Sequence, residues 1–232
     1  MCGSPTLPTA EEFRMPLAAV MPPVAWPLSP QHDAAVLHAL ARRPAALLVE
    51  LAGVDAPGLA HRLGGVAFTR LDDIDFTRFD VLVTLTWRAL SAPVPVVPLW
   101  PRVLCVGAGC TGGIPPDAFA ASAEAILRAA GLAPQAVAVV ATTARRAAEP
   151  ALQAWAQGLG AGFVACDDAT LAAHPGPTRS TYVQARHGLP GIAEAAALAT
   201  ANAGTLLLPR QKARLPGGHH HTLAVARRAE AA

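Results

Sequence analysis

The sequence predicts an α/β fold, a three-layer α/β/α arrangement around a mostly parallel or mixed sheet, preceded by a smaller α/β domain. Three observations lead to this prediction. Short apolar runs alternate with stretches of helical periodicity along the second half of the chain. Hydrophobic residues make up 53% of the 232 residues and charged residues only 15%, so the chain can bury a substantial core. A glycine-rich stretch joins one predicted strand to the next helix.

The first predicted domain covers residues 16–99 and follows a tail, residues 1–15, that is predicted to be disordered. Met15 is an alternative start to Met1. The periodicity of the apolar residues assigns the elements of this domain. They are a helix at 31–42, buried strands at 45–51 and 81–85, and an extended stretch at 94–99. Prolines restrict the last of these to a sheet edge or a linker.

The second predicted domain covers residues 102–232 and alternates strands with helices. Pro115, Pro116 and Asp117 suit a helix start, because proline is tolerated in the first turn and an acid favours the positive end of the helix dipole. The predicted helices are 115–130, 149–159, 168–173, 180–186 and 192–203. The predicted strands are 103–107, 136–141, 162–166, 205–208 and 222–226. The last two strands are close enough in sequence to form an antiparallel hairpin at a sheet edge.

Composition excludes several classes of function. A net charge of +2 gives no basic face for nucleic acid, and no apolar run reaches the roughly 18 residues of a membrane helix. The four cysteines form no CxxC pair, which indicates reduced thiols in a cytoplasmic protein. The consecutive histidines 219–221 would alternate between the two faces of a strand, so they are interpreted as solvent-exposed residues and no metal site is predicted.

The glycine-rich stretch GAGCTGG, residues 107–113, is the strongest candidate for a ligand contact. Glycines let a ligand approach the backbone, and the free N–H groups at the following helix terminus attract anions. The glycines at 107, 109 and 112 formally fit the dinucleotide pattern GxGxxG, but the next strand ends in TTARR without the acid that binds a ribose. Arg145 and Arg146 would suit a 2′-phosphate instead. The residues alone leave open a ligand loop, a dinucleotide loop or a tight turn.

Several stretches in order resemble the C-terminal domain family of the cobalamin-biosynthesis proteins CobE and CbiG. The similar segments are VLCVGAGCTGG at 103–113, AVVATTARRAAEPAL at 138–152, TRSTYVQARHGLPGIAEAAAL at 178–198, LLLPRQK at 206–212 and TLAVA at 222–226. They extend over about 125 residues. Residues 24–100 weakly resemble the central region that precedes this domain in CbiG, and no stretch resembles the CbiG N-terminal domain.

The resemblance implies a function in cobalamin biosynthesis and corrinoid metabolism, with a precorrin-type tetrapyrrole as ligand. It leaves two alternatives for the activity. One is a hydrolase like full-length CbiG, which opens the ring lactone of cobalt-precorrin-5A and releases acetaldehyde. The other is a non-enzymatic carrier that passes intermediates to corrin methyltransferases, either as a monomer or as a homodimer. No cofactor is expected, because any cobalt would arrive with the substrate.

The predicted ligand contacts are glycines and polar or cationic residues in predicted loops and at element ends. They are Gly107, Gly109, Cys110, Thr111, Gly112, Gly113, Thr142, Thr143, Arg179, Ser180 and Lys212. Ser180 either donates to a ligand carboxylate or caps the helix that it begins. The catalytic residue is not identified, and Glu194 is its one candidate. This glutamate is either a general acid and base or a buried carboxylate paired with Arg210 or another cation.

Overall fold

The computed structural model describes residues 44–177 and 191–229. The chain divides into two compact units, Met1–Arg102 with Glu230–Ala232 and Val103–Ala229. Each unit has its own sheet and its own hydrophobic core. Each is therefore considered as a separate α/β body.

Some predictions fall on residues outside the described ranges. They are the tail at 1–15, the helices at 31–42 and 180–186, and the predicted ligand contacts Arg179 and Ser180. Within the described part of the chain, no helix has the length and apolar character needed to cross a membrane.

The first unit contains a four-stranded parallel sheet in the order β2-β1-β3-β4. Its elements are β1 (Ala45–Val49), α1 (Ala56–Leu63), β2 (Gly65–Phe68), β3 (Val81–Leu85) and β4 (Val96–Leu99), with 3₁₀ turns at Leu71–Asp73 and Phe76–Arg78. The strand predicted at 81–85 is confirmed, and the strand predicted at 45–51 is present but ends at Val49. Pro98 lies in the edge strand β4, where a missing N–H is tolerated. The sequence analysis missed α1 and β2, because both are too short to show a clear period.

The central strand β1 is buried on both faces. Ala45 and Leu47 pack into one cluster with α1, whereas Leu48 packs into a second cluster beside the 3₁₀ turns. This alternation explains why β1 consists only of Ala, Leu and Val, as expected for a parallel strand covered on both sides. From β1 the chain passes through α1 to β2 on one side, and it then crosses to β3 on the other side. The strand order therefore reverses between β1 and β3.

The second unit contains a five-stranded mixed sheet in the order β7-β6-β5-β9-β8. Its helices and strands are β5 (Leu104–Cys110), α2 (Pro116–Ala129), β6 (Val137–Thr143), α3 (Pro150–Gly158), β7 (Gly162–Cys166), α4 (Asp168–Ala173), α5 (Ile192–Thr200), β8 (Thr205–Arg214) and β9 (His220–Arg227). Short 3₁₀ turns lie at Pro134–Ala136, Ala144–Arg146 and Pro216–Gly218. Strands β5, β6 and β7 are parallel, and β8 and β9 form the antiparallel hairpin that was predicted at an edge.

Helices cover both faces of this sheet, which confirms the predicted three-layer α/β/α arrangement. On one face, Phe119 of α2 contacts both Trp155 of α3 and His221 of β9 through its ring. On the other face, the alanines of α5 pack with Ala224 and Ala226 of β9. Because successive residues of a strand point to opposite faces, these contacts assign every β9 residue to one layer or the other.

The main correction concerns the predicted glycine loop. The strand predicted at 103–107 continues to Cys110, so the residues from Ala108 to Cys110, Gly109 among them, lie inside the strand and not in a loop. The strand is longer than its apolar run because β9 pairs with it along its whole length, as far as the pair Cys110 and His221. Helix α5 ends at Thr200 and not at residue 203. Asn202 and Ala203 have positive φ there, which the helix cannot contain.

Candidate functional site

The candidate site is the edge of the second sheet at which the parallel strands end. Strands β5, β6 and β7 end there at Cys110, Thr143 and Cys166, and α2, α3 and α4 begin shortly after them. Helix α5 begins at the same edge, because its Thr200 lies against Cys105 near the start of β5 and its Ala193 lies against Gly107. Within residues 103–177 and 191–229, the N-termini of α2, α3, α4 and α5 therefore lie at this carboxyl edge. Their backbone dipoles contribute partial positive charge there, which the carboxylates of Asp117, Asp168 and Glu194 in the first turns of α2, α4 and α5 partly offset.

Gly107 has a packing role in this arrangement. A Cβ atom built on Gly107 would lie 1.8 Å from the carbonyl oxygen of Ala193 and 2.7 Å from the amide nitrogen of Ala197. The absent side chain thus allows the backbone of α5 to approach β5 closely. Gly107 is buried beneath the helix. Its prediction as a ligand contact is corrected accordingly, since a helix already occupies the space that a ligand would need.

The turn itself consists of Gly112 and Gly113, which are both exposed. Gly113 has a φ of +69°, and its N–H donates to Glu149 Oε1 at 3.3 Å. The other carboxylate oxygen of Glu149 lies 3.9 Å from Arg146 Nη1. Gly112 is also close to Arg146, because an added Cβ would lie 3.2 Å from Nη1. The turn is therefore fixed by a glutamate and bordered by an exposed arginine.

Sequence reasoning missed Glu149 as a site residue and assigned it only to the start of a helix. The structure places it just before α3, with 8% of the residue exposed. The available signal was its position after the second parallel strand, because that position returns the side chain to the edge where the glycine turn lies.

Cys110 points to the α2 and α3 side of the sheet, since it pairs with His221 on that side. Burial raises the pKa of its thiol to about 11, with a further increase from the Glu149 charge and a decrease from Arg146. The thiol is consequently protonated at neutral pH. Only the thiolate is an effective nucleophile, so Cys110 is not prepared for nucleophilic attack.

Thr111 joins the glycine turn to the β8–β9 connection. Its N–H donates to the carbonyl oxygen of His220 at 3.0 Å, and its hydroxyl oxygen accepts from the His220 N–H at 3.2 Å. His219 Nδ1 lies 3.4 Å from the same hydroxyl. His221 is instead buried, with Nε2 2.8 Å from Ser122 Oγ. The three histidines therefore do not converge, and the described residues contain no group of three His, Cys, Asp or Glu suited to a metal ion.

The adjacent residues Thr142 and Thr143 face opposite sides of the sheet. The hydroxyl of Thr142 donates to the carbonyl oxygen of Ala108 at 2.8 Å and is fully buried. It therefore connects two strands internally. Thr143 lies on the α5 side, because Val139 and Ala141 of the same strand pack there. Of the two threonines, only Thr143 is on the side of the sheet that α5 covers.

Lys212 also lies on the α5 side of the sheet. It pairs with Thr222, which in turn pairs with Gly109, and paired residues of antiparallel strands share a face. Lys212 is exposed, so its ammonium group is available to an anion. Gly109, Thr222 and Lys212 form a row across the sheet at its carboxyl edge.

Glu194 lies in the first turn of α5 and is 0% exposed. One of its carboxylate oxygens accepts from the backbone N–H of Arg210 at 2.9 Å. The predicted pairing with Arg210 thus occurs through the main chain of β8. Gly176 lies directly against the Glu194 side chain, where an added Cβ would be 2.4 Å from Oε2. The carboxylate is therefore enclosed between β8 and the segment that follows α4.

The structure therefore separates the predicted contacts into two groups on opposite faces of the sheet. On the α2 and α3 side are Cys110 and the Gly112–Gly113 turn, with Arg146 beside them. On the α5 side are Thr143 and Lys212. Arg145 is also at this edge and forms an exposed ion pair of 3.1 Å with Asp168. A ligand that used both groups would have to extend across the end of the sheet.

This geometry defines an α/β domain with turns and helix starts gathered at the carboxyl ends of its parallel strands, the edge at which open α/β sheets generally bind ligands. The family model described as "Cobalamin synthesis G C-terminus" matches residues 104–226, which is more than half of the chain. The chain belongs to this family. The resemblance to CobE and CbiG is thereby confirmed, and the protein is a member of the cobalamin-biosynthesis proteins.

Solved structures of the same pathway are similar to this chain. CobE, from the cobalamin (vitamin B12) biosynthetic pathway, is 25% identical with a TM-score of 0.48, over 57% of this chain and 94% of CobE. The cobalamin biosynthesis protein chiG from Agrobacterium tumefaciens str. C58 is 34% identical with a TM-score of 0.42, over 55% of this chain and 99% of its own.

A cobalamin biosynthesis protein G homolog from Sulfolobus solfataricus is 16% identical with a TM-score of 0.44. That match covers 92% of this chain but only 59% of the Sulfolobus chain. The chain thus spans little more than half the length of this relative. A comparison with curated proteins gives no match.

Proposed function

We propose that the second unit binds a precorrin-type tetrapyrrole across the carboxyl edge of its sheet. One observation carries the proposal: among the described residues, the N-termini of α2, α3 and α5, the Gly112–Gly113 turn and the exposed Lys212 and Arg146 all lie at this edge. Precorrins are apolar macrocycles fringed with acetate and propionate carboxylates. Such a ligand needs several separate anion contacts, and an edge with contacts on both faces of the sheet offers them.

The geometry favours binding over chemistry. A lactone-opening reaction with acetaldehyde release needs an acid or base that can reach the substrate. Glu149 is occupied by the Gly113 N–H and Glu194 by the Arg210 N–H, and Cys110 carries a neutral thiol. The two glutamates thus hold the turn and the β8 strand respectively. We therefore propose a carrier that delivers an intermediate to corrin methyltransferases.

Hydrolysis of cobalt-precorrin-5A is the second candidate function, and Glu194 is the observation in its favour. A fully buried carboxylate in the first turn of a helix is an unusual feature, and a positioned carboxyl group is a common general acid or base. In that reaction Glu194 would have to exchange its contact with the Arg210 N–H for one with substrate or water.

Incubating the purified full chain with precorrin-5A or cobalt-precorrin-5A distinguishes these candidates. The carrier predicts a saturable shift in the ligand absorption spectrum without acetaldehyde, whereas the hydrolase predicts acetaldehyde release that is lost in Glu194→Gln. Lys212→Gln and Arg146→Gln should each weaken binding up to about fivefold, because a single exposed ion pair contributes about 0.2–1 kcal/mol. The absence of any spectral shift with either ligand would contradict the proposal.

Arg128→Gln is the matched control for these two variants. Arg128 is an exposed arginine in the last turn of α2, where it pairs with Glu124 at 2.6 Å. That turn lies at the edge of the sheet opposite to the carboxyl edge, away from the proposed site. The substitution removes the same charge and should leave the affinity unchanged, so any loss shared by all three variants would reflect net charge alone.

We further propose a cytoplasmic location, in keeping with the free thiols of Cys105, Cys110 and Cys166. We also propose a domain at 16–99 like the central region of CbiG and a domain at 102–232 like CobE. Sedimentation equilibrium at several concentrations tests whether the chain is a monomer or a homodimer. Pull-down with corrin methyltransferases, with and without the tetrapyrrole, tests the proposed transfer.

A further inference from the structure

The first unit has a polar cluster at the carboxyl ends of β1 and β3. The strand order of its parallel sheet reverses between these two neighbours. In open α/β sheets, ligands bind in the crevice outside the carboxyl ends of the strands at such a reversal. Glu50 follows β1 directly and Thr86 follows β3 directly, so both residues lie at this point. Their backbones are fixed by the sheet, since the Glu50 N–H donates to Leu85 O at 3.1 Å.

Three side chains form a connected set there. The hydroxyl of Thr86 donates to Glu50 Oε2 at 2.5 Å, and Arg88 Nη1 donates to Glu50 Oε1 at 2.8 Å. The backbone N–H of Arg88 donates to the Thr86 hydroxyl oxygen at 3.1 Å. Both carboxylate oxygens of Glu50 are thus occupied. The contacts of Arg88 with Glu50 and with Thr86 restrict its position, and the contact between Glu50 and Thr86 fixes those two partners.

Exposure increases along this set of side chains. Thr86 is 0% exposed, the Glu50 side chain is 15% exposed and the Arg88 side chain is 45% exposed. The guanidinium group of Arg88 makes its ion pair with Glu50 through Nη1. Arginine has five N–H donors in a planar fork that matches the two oxygens of a carboxylate. The cluster therefore presents an oriented cation at the end of the sheet.

We propose that Arg88 is a binding residue for a carboxylate ligand at the carboxyl edge of the first sheet, and that Glu50 and Thr86 position it. The charges of Glu50 and Arg88 cancel, so a singly charged carboxylate suits the cluster better than a phosphate dianion. Asp55, which caps α1 after the same strand, directs its own carboxylate to the Gly58 N–H at 3.0 Å. The site does not depend on the tetrapyrrole proposal, because it lies in the other unit and uses other residues.

Arginine side-chain NMR of the full chain tests this site with sodium propionate as the probe, at constant ionic strength. The Arg88 Nε–Hε resonance should shift in a saturable manner at millimolar propionate, and inorganic phosphate should bind more weakly. Arg128 is the internal control, since it is an exposed arginine paired with a glutamate on a helix surface. Its resonance should show only a linear shift.

For variants at position 88, the backbone amide resonance of Thr86 reports propionate binding, because the side chain of Arg88 can no longer be followed. Arg88→Lys keeps the charge but loses the fork, so the propionate affinity should fall about fivefold or more, and Arg88→Gln should abolish the saturable shift. A linear Arg88 shift equal to that of Arg128, tighter binding of phosphate than of propionate, or saturable binding in Arg88→Gln would each overturn the proposal. If Arg88→Gln does not fold, the wild-type titration and the Arg88→Lys variant still test the proposal.

Discussion

The carboxyl edges of the two sheets are built in different ways. In the first unit, the side chains of Glu50, Thr86 and Arg88 bind one another and leave an arginine exposed. In the second unit, Glu149 and Glu194 bind backbone N–H groups, of Gly113 and Arg210 respectively. The first edge therefore orients a side chain, whereas the second orients a segment of main chain.

This difference shows that residues of one type have different roles at equivalent positions in similar folds. A glutamate follows β1 and another precedes α3, yet one positions a cation and the other stabilises a glycine turn. A buried carboxylate close to a strand end is consequently not enough to indicate catalysis. The groups that its oxygens contact show whether it orients a side chain or stabilises the backbone.

The largest effect is expected from Gly107→Ala in the second unit. The added methyl group meets the backbone of α5 at 1.8 Å, and main chain cannot move aside as a flexible side chain can. We expect the free energy of unfolding to fall by about 3 kcal/mol. Gly53→Ala in the first unit should lower it by only about 1 kcal/mol, because Gly53 has a φ of +74° with no atom near its Cβ position. Urea denaturation followed by circular dichroism measures both, and equal losses would contradict the packing role of Gly107.

Two threonine variants test the two edges directly. Thr86→Val removes a hydrogen bond to a carboxylate, and Thr142→Val removes one to the carbonyl of Ala108. We expect losses of about 2 and about 1 kcal/mol respectively, since hydrogen bonds to charged groups contribute more. Thermal unfolding of the two variants provides the measurement. A greater loss in Thr142→Val would contradict this ranking of the two hydrogen bonds.

The third prediction concerns the pH dependence of stability. Burial lowers the pKa of His221 from its ordinary 6.5, so the folded state binds this proton less tightly than the unfolded chain does. Stability from this source is therefore complete above about pH 6.5, and it decreases as the pH falls toward the folded pKa, by at most about 1.4 kcal/mol per pH unit. His221→Gln should remove this decrease. Unfolding free energies of wild type and variant, measured from pH 5 to 8, test this. If His221 did not cause the decrease, their difference would be constant over this range.

The smallest effect is expected at Cys110. Glu149→Gln should lower the pKa of the thiol below about 11, but it should stay above the ordinary 9.0 because burial is the larger cause. Arg146→Gln removes a positive charge and should move the pKa in the opposite direction. The pH dependence of Cys110 alkylation, followed by peptide mass spectrometry, gives both values. Shifts of the same sign would exclude the electrostatic explanation.

Much of the fold could be predicted from the sequence, because apolar periodicity and helix-start residues act locally. The strand at 162–166 and the helix start after Asp167 are examples. The role of Gly107 could not be predicted, since it depends on α5, which begins 85 residues later in the chain. The Glu50 and Thr86 contact was missed for a similar reason. The two residues are 36 positions apart, and only the register of β1 with β3 brings them together.

The central claim is that the carboxyl edge of the second sheet binds a tetrapyrrole, and hydrogen–deuterium exchange with cobalt-precorrin-5A tests it most directly. Bound tetrapyrrole should slow exchange in residues 109–115 and 144–149 and in the end of β8 near Lys212. Exchange at the opposite edge, in residues 131–136 and 201–205, should not change. Protection of the opposite edge, or no protection in the second unit at saturating ligand, would contradict the claim.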